Sequence, residues 1–202
     1  MRILTASFFF TATLFGQTIA EKAKSPQVHA YVVTMQPHVK AQAPNGHPTN
    51  RVFIFLDDGA MARQDKGAAV KQTKFKRGDV QWQPASGPYV VEDTTDHPVR
   101  VLEIDLLGKP AGPLPATSLD PVKVDAKHYH VVLENDQVRV LRIHYEGHES
   151  SPEHEHILNR VVLFLNDQKN GKMDDVHISG AQKHTENNPG DGPADRIAVE
   201  LK

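Results

Sequence analysis

Asn50-Arg51-Val52-Phe53-Ile54-Phe55-Leu56-Asp57-Asp58 recurs 109 residues later as Asn159-Arg160-Val161-Val162-Leu163-Phe164-Leu165-Asn166-Asp167. Six of the nine positions are identical, and the three differences are conservative. A long internal repeat indicates that the chain contains two copies of one structural unit. The sequence therefore predicts two similar domains in tandem, related by a pseudo-twofold axis, in which Phe55 corresponds to Phe164.

The rest of the chain consists mainly of short strand patterns. Residues 28–35 and 51–56 are rich in β-branched, aromatic and aliphatic side chains, and residues 68–76 alternate apolar with polar. Short strands separated by turns that contain glycine, proline and asparagine are typical of a sandwich or barrel. We therefore predict an all-β fold in which residues 26–107 and 127–202 each form a jelly-roll barrel.

The domain boundary is expected at a stretch rich in proline and glycine, from Gly108 to Pro115. It divides the chain into a first domain at 21–112 and a second at 113–202. Residues 79–82 (Asp-Val-Gln-Trp) align with residues 175–178 (Asp-Val-His-Ile).

The spacing within the two copies differs. Twenty residues lie between Asp58 and Asp79, but only seven lie between the aligned Asp167 and Asp175. The second copy is therefore expected to lack one hairpin, and its barrel should be more open at that edge.

The first twenty residues have the pattern of an export signal. Arg2 supplies a positive start, residues 3–16 are mainly apolar, and Thr18-Ile19-Ala20 offers small residues for a signal peptidase. The apolar run is shorter than the ~20 residues that span a membrane. We expect residues 1–20 to be removed as a signal peptide. The mature protein would then be periplasmic or secreted, with no membrane attachment.

Composition excludes several classes of function. The formal charge is -2, and no basic stripe suggests binding to nucleic acid. The chain has no cysteine, so disulfides do not contribute to its stability. No nucleophile elbow, phosphate-binding loop or dinucleotide fingerprint is present, which removes the common serine-hydrolase and nucleotide-binding interpretations.

Histidine is the one unusual feature of the composition. Four of the twelve histidines fall between residues 144 and 156, and two of them stand in Glu153-His154-Glu155-His156. Side chains at positions i and i+2 of a strand share one face, so His154 and His156 can present two imidazoles to one point. The aligned stretch of the first copy reads Pro44-Asn45-Gly46-His47, which leaves His47 alone.

The second half of the chain resembles the cupin superfamily. The first motif of that family, a glycine followed by His-x-His, is similar to Gly147 with His154-Glu155-His156. The second motif is similar to Gly180 with His184 and an asparagine at 187 or 188. The resemblance covers nearly all of 127–202 and, more weakly, 28–107. It implies two double-stranded β-helix barrels in tandem, a bicupin, and a family in which many members bind a transition metal.

The resemblance also implies a ligand set. His184, on another strand, would join His154 and His156 around a divalent transition metal such as Fe, Mn, Ni, Cu or Zn. The nearby carboxylates could orient the imidazoles from behind; they are Glu146, Glu149, Glu153 and Glu155. Aligning on Glu186-Asn187 instead places Lys183 at the third position, and both registers stay open here.

Arg160 stands where many metal-binding cupins carry a glutamate. It is expected on the same face as His156, where a guanidinium would bind an anionic substrate.

Two functions follow, and the sequence does not decide whether the protein is an enzyme. The first is an exported metal-dependent cupin that acts on a small organic molecule. The alternative is a non-catalytic bicupin that binds a small ligand or another protein without metal. Trp82, Tyr89 and Phe55 would line a ligand cavity in its first barrel. A homodimer is also expected, because jelly rolls leave sheet edges and apolar outer faces to be covered.

Overall fold

The computed structural model describes residues 11–14, 17–109 and 112–202. Residues 1–10, 15 and 16 of the expected signal peptide lie outside the described residues. The remaining residues of that segment belong to two antiparallel strands that extend the sheet edge of the first barrel. Among the residues that the structure describes, no helix is long and apolar enough to span a membrane.

The described residues form seventeen strands and one short helix. In chain order they are β1 (Thr11–Leu14), β2 (Gln17–Lys24), β3 (Val28–Met35), β4 (Lys40–Ala43), β5 (Arg51–Phe55), β6 (Gly59–Asp65), β7 (Lys71–Phe75), β8 (Val80–Gln83), β9 (Tyr89–Asp93), β10 (Val99–Leu106), α1 (Pro121–Val124), β11 (Tyr129–Glu134), β12 (Val138–Tyr145), β13 (His154–His156), β14 (Arg160–Phe164), β15 (Val176–Ser179), β16 (Gln182–His184) and β17 (Ala194–Leu201).

These strands form two jelly-roll barrels. In the first barrel, a six-stranded sheet in the order β1-β2-β3-β10-β5-β8 faces a four-stranded sheet in the order β4-β9-β6-β7. In the second, a five-stranded sheet in the order β11-β12-β17-β14-β15 faces the pair β13-β16. The predicted all-β fold with two barrels is confirmed.

The internal repeat has the same backbone hydrogen bonds in both barrels. The amide of Phe55 donates to the carbonyl of Asp79 at 3.0 Å, and the amide of Phe164 donates to that of Asp175 at 3.0 Å. Each phenylalanine lies in the interior cluster of its own barrel. Phe55 and Phe164 therefore occupy equivalent places, as the repeat predicts.

The two large sheets pack against each other through one shared core. A single buried cluster contains alternate residues of β5 and of β14. Val52 and Ile54 come from β5, and Val161 and Leu163 come from β14. The other residues of each strand face the interior of their own barrel, because successive side chains of a strand point to opposite faces. Each barrel thus has an interior of its own and a shared outer face.

The second barrel lacks the hairpin β6–β7 of the first. In the first barrel, β6 pairs with β9 from Met61↔Asp93 to Asp65↔Tyr89, and so covers its edge. In the second barrel, a turn at 168–175 replaces the hairpin, and β16 pairs with β13. The second barrel is therefore open on the side where the first is closed, as the spacing predicts.

An ionic cluster joins the barrels beside this turn. Asp174 has a positive φ of 67°, and Gly78 has one of 84° at the equivalent turn of the first barrel. The Asp174 carboxylate accepts hydrogen bonds from Arg77 at 2.6 Å and from Arg100 at 2.7 Å. Arg100 also holds Asp57 at 2.7 Å, so one carboxylate of the second barrel is bound to two arginines of the first.

Candidate metal centre

Three histidines converge inside the second barrel. The antiparallel pairing of β13 with β16 places His154 opposite His184, and His156 shares the face of His154. One nitrogen of each ring lies within 4.8 Å of those of the other two. The structure places His184, not Lys183, beside the other histidines. Lys183 instead lies opposite Glu155 and pairs with Glu153 at 2.8 Å.

His154 is fixed by contacts to both of its ring nitrogens. Its Nδ1 lies 3.0 Å from the carbonyl oxygen of Pro152 and 3.2 Å from the Ser151 hydroxyl. Because a carbonyl oxygen only accepts, Nδ1 carries the proton and Nε2 offers its lone pair to the site. The Tyr129 hydroxyl lies 3.0 Å from this Nε2.

His156 is oriented by a buried carboxylate. Its Nδ1 lies 2.9 Å from Oε1 of Glu200, and Oε2 of Glu200 accepts a hydrogen bond from Arg139 at 2.6 Å. Burial lowers the pKa of His156, and the contact with Glu200 offsets this only in part. Burial alone would raise the pKa of Glu200, but its hydrogen bonds to His156 and Arg139 outweigh burial and lower it. His156 is therefore held with Nε2 directed away from Glu200, which is a common arrangement behind a metal-binding imidazole.

One ring nitrogen of His184 is the strongest indication that the site binds a ligand. Its Nε2 is buried and has no hydrogen-bond partner among the described residues, while Nδ1 lies 4.0 Å from Glu186. Burial, followed by the positive charge that His154 would carry, lowers the pKa of His184 to about 4. The ring is thus neutral at pH 7, as a metal ligand must be. An unpartnered nitrogen beside two others fits a first-row transition ion.

Arg160 lies beside the histidines, at the start of β14. Its side chain is buried, and Nη1 donates to the carbonyl oxygen of Gly180 at 2.7 Å. Its charge contributes, after burial, to lowering the pKa of both His156 and His184. Arg160 and Glu200 are register partners on neighbouring strands. The positive charge expected beside the site is therefore present.

A polar cavity opens next to the histidines at the edge left uncovered by the missing hairpin. It has a volume of about 570 Å³, and its wall includes His184, Glu186, His177 and Arg196. Arg196 pairs with Glu186 at 2.9 Å. A small polar molecule can enter here and reach His184.

The four carboxylates expected behind the imidazoles form hydrogen bonds or ion pairs with other residues in the described part of the chain. Glu146 binds His144, Glu149 binds His128 and Lys127, Glu153 binds Lys183, and Glu155 binds Thr117. The expectation that they orient the imidazoles was wrong, because Nδ1 of His156 is held by Glu200, on a strand distant in sequence, and Nδ1 of His154 is held by Pro152 and Ser151. A single carboxylate within the apolar run Ile197–Leu201 is the signal that could have indicated it, since a buried charge needs a partner.

Two further residues of the site were missed by sequence reasoning. Tyr129 and Arg196 lie on β11 and β17 and reach the site only because these strands belong to the same barrel. The remaining histidines of the cluster lie elsewhere, with His144 bound to Asp195 and His148 to Asp191.

The first barrel has a different arrangement at the equivalent place. Nε2 of His47 lies 3.4 Å from the carboxylate of Asp105, which occupies the same position in its strand pair as Glu200 does in the second barrel. Arg51 is the counterpart of Arg160, and it forms a 2.6 Å ion pair with Glu103. The metal-ligand group found among the described residues does not include His47.

A cavity of about 560 Å³ lies in the first barrel, with Tyr89, Val91 and Met61 in its wall. Trp82 instead packs against the shared core. Phe55 stacks on Phe75, with 3.9 Å between the two ring centroids. Of the three aromatic residues considered for this cavity, Tyr89 is therefore the one that lines it.

Comparison with known proteins gives structural matches only. No protein-family model matches the sequence, and no curated protein matches it. AerE from Microcystis aeruginosa has a TM-score of 0.70 at 12% identity, over 96% of this chain and 97% of that chain. A cupin 2 conserved barrel domain protein from Leptotrichia buccalis has a TM-score of 0.60 at 12% identity, over 96% and 92%. Oxalate decarboxylase from Bacillus subtilis has a TM-score of 0.65 at 10% identity, over 96% and 74%.

At these identities the likeness shows the fold alone. The chain has the fold of the cupin superfamily. It has two barrels in one chain, and the histidine cluster lies in the second. Because one fold supports many functions, the activity has to be argued from the site.

Proposed function

We propose that the second barrel binds one divalent transition metal through His154, His156 and His184, and that the protein acts there on a small organic anion. The main support for this proposal is the convergence of three imidazoles, one of which has a buried Nε2 with no hydrogen-bond partner in the described part of the chain. Neutral imidazoles suit Fe, Mn, Ni, Cu and Zn, and the fold itself does not choose among these ions.

The surrounding residues support an anionic substrate. A bound ion would supply a Lewis acid with coordination positions open to substrate. Arg196 lines the cavity next to His184, and Arg160 is buried beside the same imidazoles. A guanidinium can hold a carboxylate through two parallel hydrogen bonds, so these arginines would orient a small carboxylate toward the histidines.

Metal loading tests the proposal. The full chain, stripped with a chelator, is loaded in turn with Fe, Mn, Ni, Cu and Zn, dialysed, and analysed for bound metal. Wild type should retain one ion per chain, and His154→Ala should retain little, because two neutral ligands hold a divalent ion poorly against water. The matched control is His47→Ala in the first barrel, which should behave as wild type. Failure of wild type to retain any of the five ions would reject the metal-dependent function.

Substrate class is tested on the loaded protein. Small carboxylates, oxalate among them, are added to the metal-loaded wild type, and binding and turnover are followed by calorimetry and product analysis. Binding that requires both the metal and a carboxylate group supports the proposal, whereas equal binding by the metal-free protein contradicts it.

The cavity of the first barrel favours a second candidate function, the binding of a small molecule without metal. Its volume is within the usual range of ligand pockets, and its wall combines apolar side chains with polar ones such as Glu103 and Asp105. Anilinonaphthalene sulfonate fluorescence tests for access to this cavity. Val91→Trp, which would fill it, should reduce the signal, and Val131→Trp on the exposed face of β11 should not.

We also propose that the protein is exported and that its mature chain begins near Glu21. The basic and apolar start of the sequence supports this. N-terminal sequencing of the protein from its native host should find the first twenty residues missing, and an intact Met1 would refute export. Association of two mature chains stays a prediction, which sedimentation velocity can check.

A further inference from the structure

The Tyr129 hydroxyl is directed at the histidine cluster. It lies 3.0 Å from Nε2 of His154, the nitrogen that the contacts of Nδ1 leave available to a metal. Tyr129 is buried in the barrel interior, and its ring centroid is 5.0 Å from that of His154 and 5.9 Å from that of His156. A phenol oxygen therefore stands beside the atoms that would surround an ion.

This separation suits two ligands of one ion. First-row ions bind nitrogen and oxygen at about 2.1 Å, so two ligands at right angles lie about 3.0 Å apart. The observed 3.0 Å between Tyr129 and His154 matches that value. An ion bound to Nε2 of His154 could therefore also bind the Tyr129 oxygen.

The nearby carboxylates are held by other partners. Glu200 binds His156 and Arg139, and Glu186 binds Arg196. The described group of three histidines contains no oxygen ligand, although hard ions such as Fe(III) prefer one. A phenolate would supply both the oxygen and the negative charge.

A second hydroxyl that can donate a hydrogen bond lies beside the Tyr129 oxygen. The Tyr145 hydroxyl lies 3.2 Å from the Tyr129 oxygen and can donate to it. Tyr145 is also 3.4 Å from Asp125, which is bound to His128 at 2.7 Å.

We propose that Tyr129 is the fourth protein ligand of the metal, through its phenolate oxygen, so that the second barrel is a three-histidine, one-tyrosine centre. The inference rests on the proposed metal site. Coordination breaks the O–H bond of Tyr129, forms an oxygen–metal bond, and releases the proton to the buffer.

Ferric iron alone provides the test, because phenolate bound to Fe(III) absorbs in the visible through charge transfer from ligand to metal. The stripped full chain is loaded with Fe(III) as its citrate complex and freed of excess iron. Wild type should be coloured, and excitation within the band should enhance tyrosinate vibrations in the resonance Raman spectrum. Tyr129→Phe should lose the band while keeping iron, and Tyr145→Phe should keep it at a shifted wavelength.

The outcomes separate this inference from the proposed function. Bound iron without a visible band in wild type would overturn the tyrosine ligand and leave the histidine site standing. A band that survives in Tyr129→Phe would also overturn it, since one of the other three tyrosines would then be the source. Absence of bound iron and of every other ion would overturn the metal site itself. If Tyr129→Phe fails to fold, Tyr145→Phe decides the question, because loss of the tyrosinate vibrations in that variant would make Tyr145 the ligand and overturn the inference.

Discussion

Glu200 Oε1 lies 2.9 Å from Nδ1 of His156, although the two residues are 44 positions apart. The carboxylate fixes the ring and its tautomer, and it increases the basicity of Nε2. Glu200→Gln should therefore lower metal affinity by roughly 10–100-fold, as measured by competition with a chromophoric chelator. The exposed Glu134 gives a matched control, and Glu134→Gln should bind metal as wild type does. Equal affinity for Glu200→Gln and wild type would show that His156 is oriented by other groups.

Variants of His184 and Lys183 test the pairing register of β16 with β13. Because β16 places His184 opposite His154 and turns Lys183 outward, His184→Ala should lose most of the bound metal and Lys183→Ala should lose none. Metal content after dialysis, measured by plasma mass spectrometry, decides between them. The opposite pattern would mean that the strand is shifted by one residue.

Arg160 is expected to bind the substrate and not the metal. Arg160→Met removes the charge with little change in length, so the metal should be retained and the dissociation constant for a small carboxylate should rise ~10-fold or more. Calorimetric titration of the metal-loaded proteins measures this, with Arg142→Met as the control. Unchanged carboxylate binding would remove Arg160 from the substrate site.

Asp174 joins the barrels through a side chain on a turn of positive φ. Asp174→Gly keeps that backbone conformation and deletes the carboxylate, so the loss of its hydrogen bonds to Arg77 and Arg100 should cost about 1–2 kcal/mol of the free energy of unfolding. Urea unfolding monitored by Trp82 fluorescence provides the measurement. Asp174→Asn tests the charge alone, and stability equal to wild type in both variants would contradict the bridging role.

The acid stability of the protein should depend on Asp57. Burial alone would raise the pKa of this carboxyl, but hydrogen bonds from Arg100 lower it in the folded chain. The resulting stabilisation is present above the unfolded-state pKa of about 4 and is lost as the pH falls through the lower folded-state pKa. Asp57→Asn should therefore weaken the pH dependence of the unfolding free energy between about pH 2 and pH 5. Asp191, whose side chain is fully exposed, gives the control Asp191→Asn. Parallel pH profiles for wild type and Asp57→Asn would reject this role.

The sequence predicts the fold better than the site. The repeat around Phe55 and Phe164 predicts two barrels. The shorter spacing in the second copy predicts that its barrel lacks a hairpin and is more open than the first. His154 and His156 are readable as a pair because two residues on one strand share a face.

The other members of the site depend on how strands pair across the barrel. Tyr129 lies 25 positions before His154, and Glu200 lies 44 positions after His156, the histidine that it contacts. Spacing along the chain carries no information about such contacts. The choice between His184 and Lys183 likewise needed the register of β16 against β13. The carboxylate that orients the histidines was the hardest group to predict, because the four acidic residues nearest in sequence to His154 and His156 bind other groups.

The shared core has a consequence for how this duplicated chain can change over generations. Val52 and Ile54 of the first barrel help to bury Val161 and Leu163 of the second, so selection for stability preserves the first barrel's large sheet whatever its own interior does. Its opposite sheet contributes no residue to this shared cluster. The first copy is therefore free to acquire a ligand of its own while it continues to hold the histidine-bearing copy in shape.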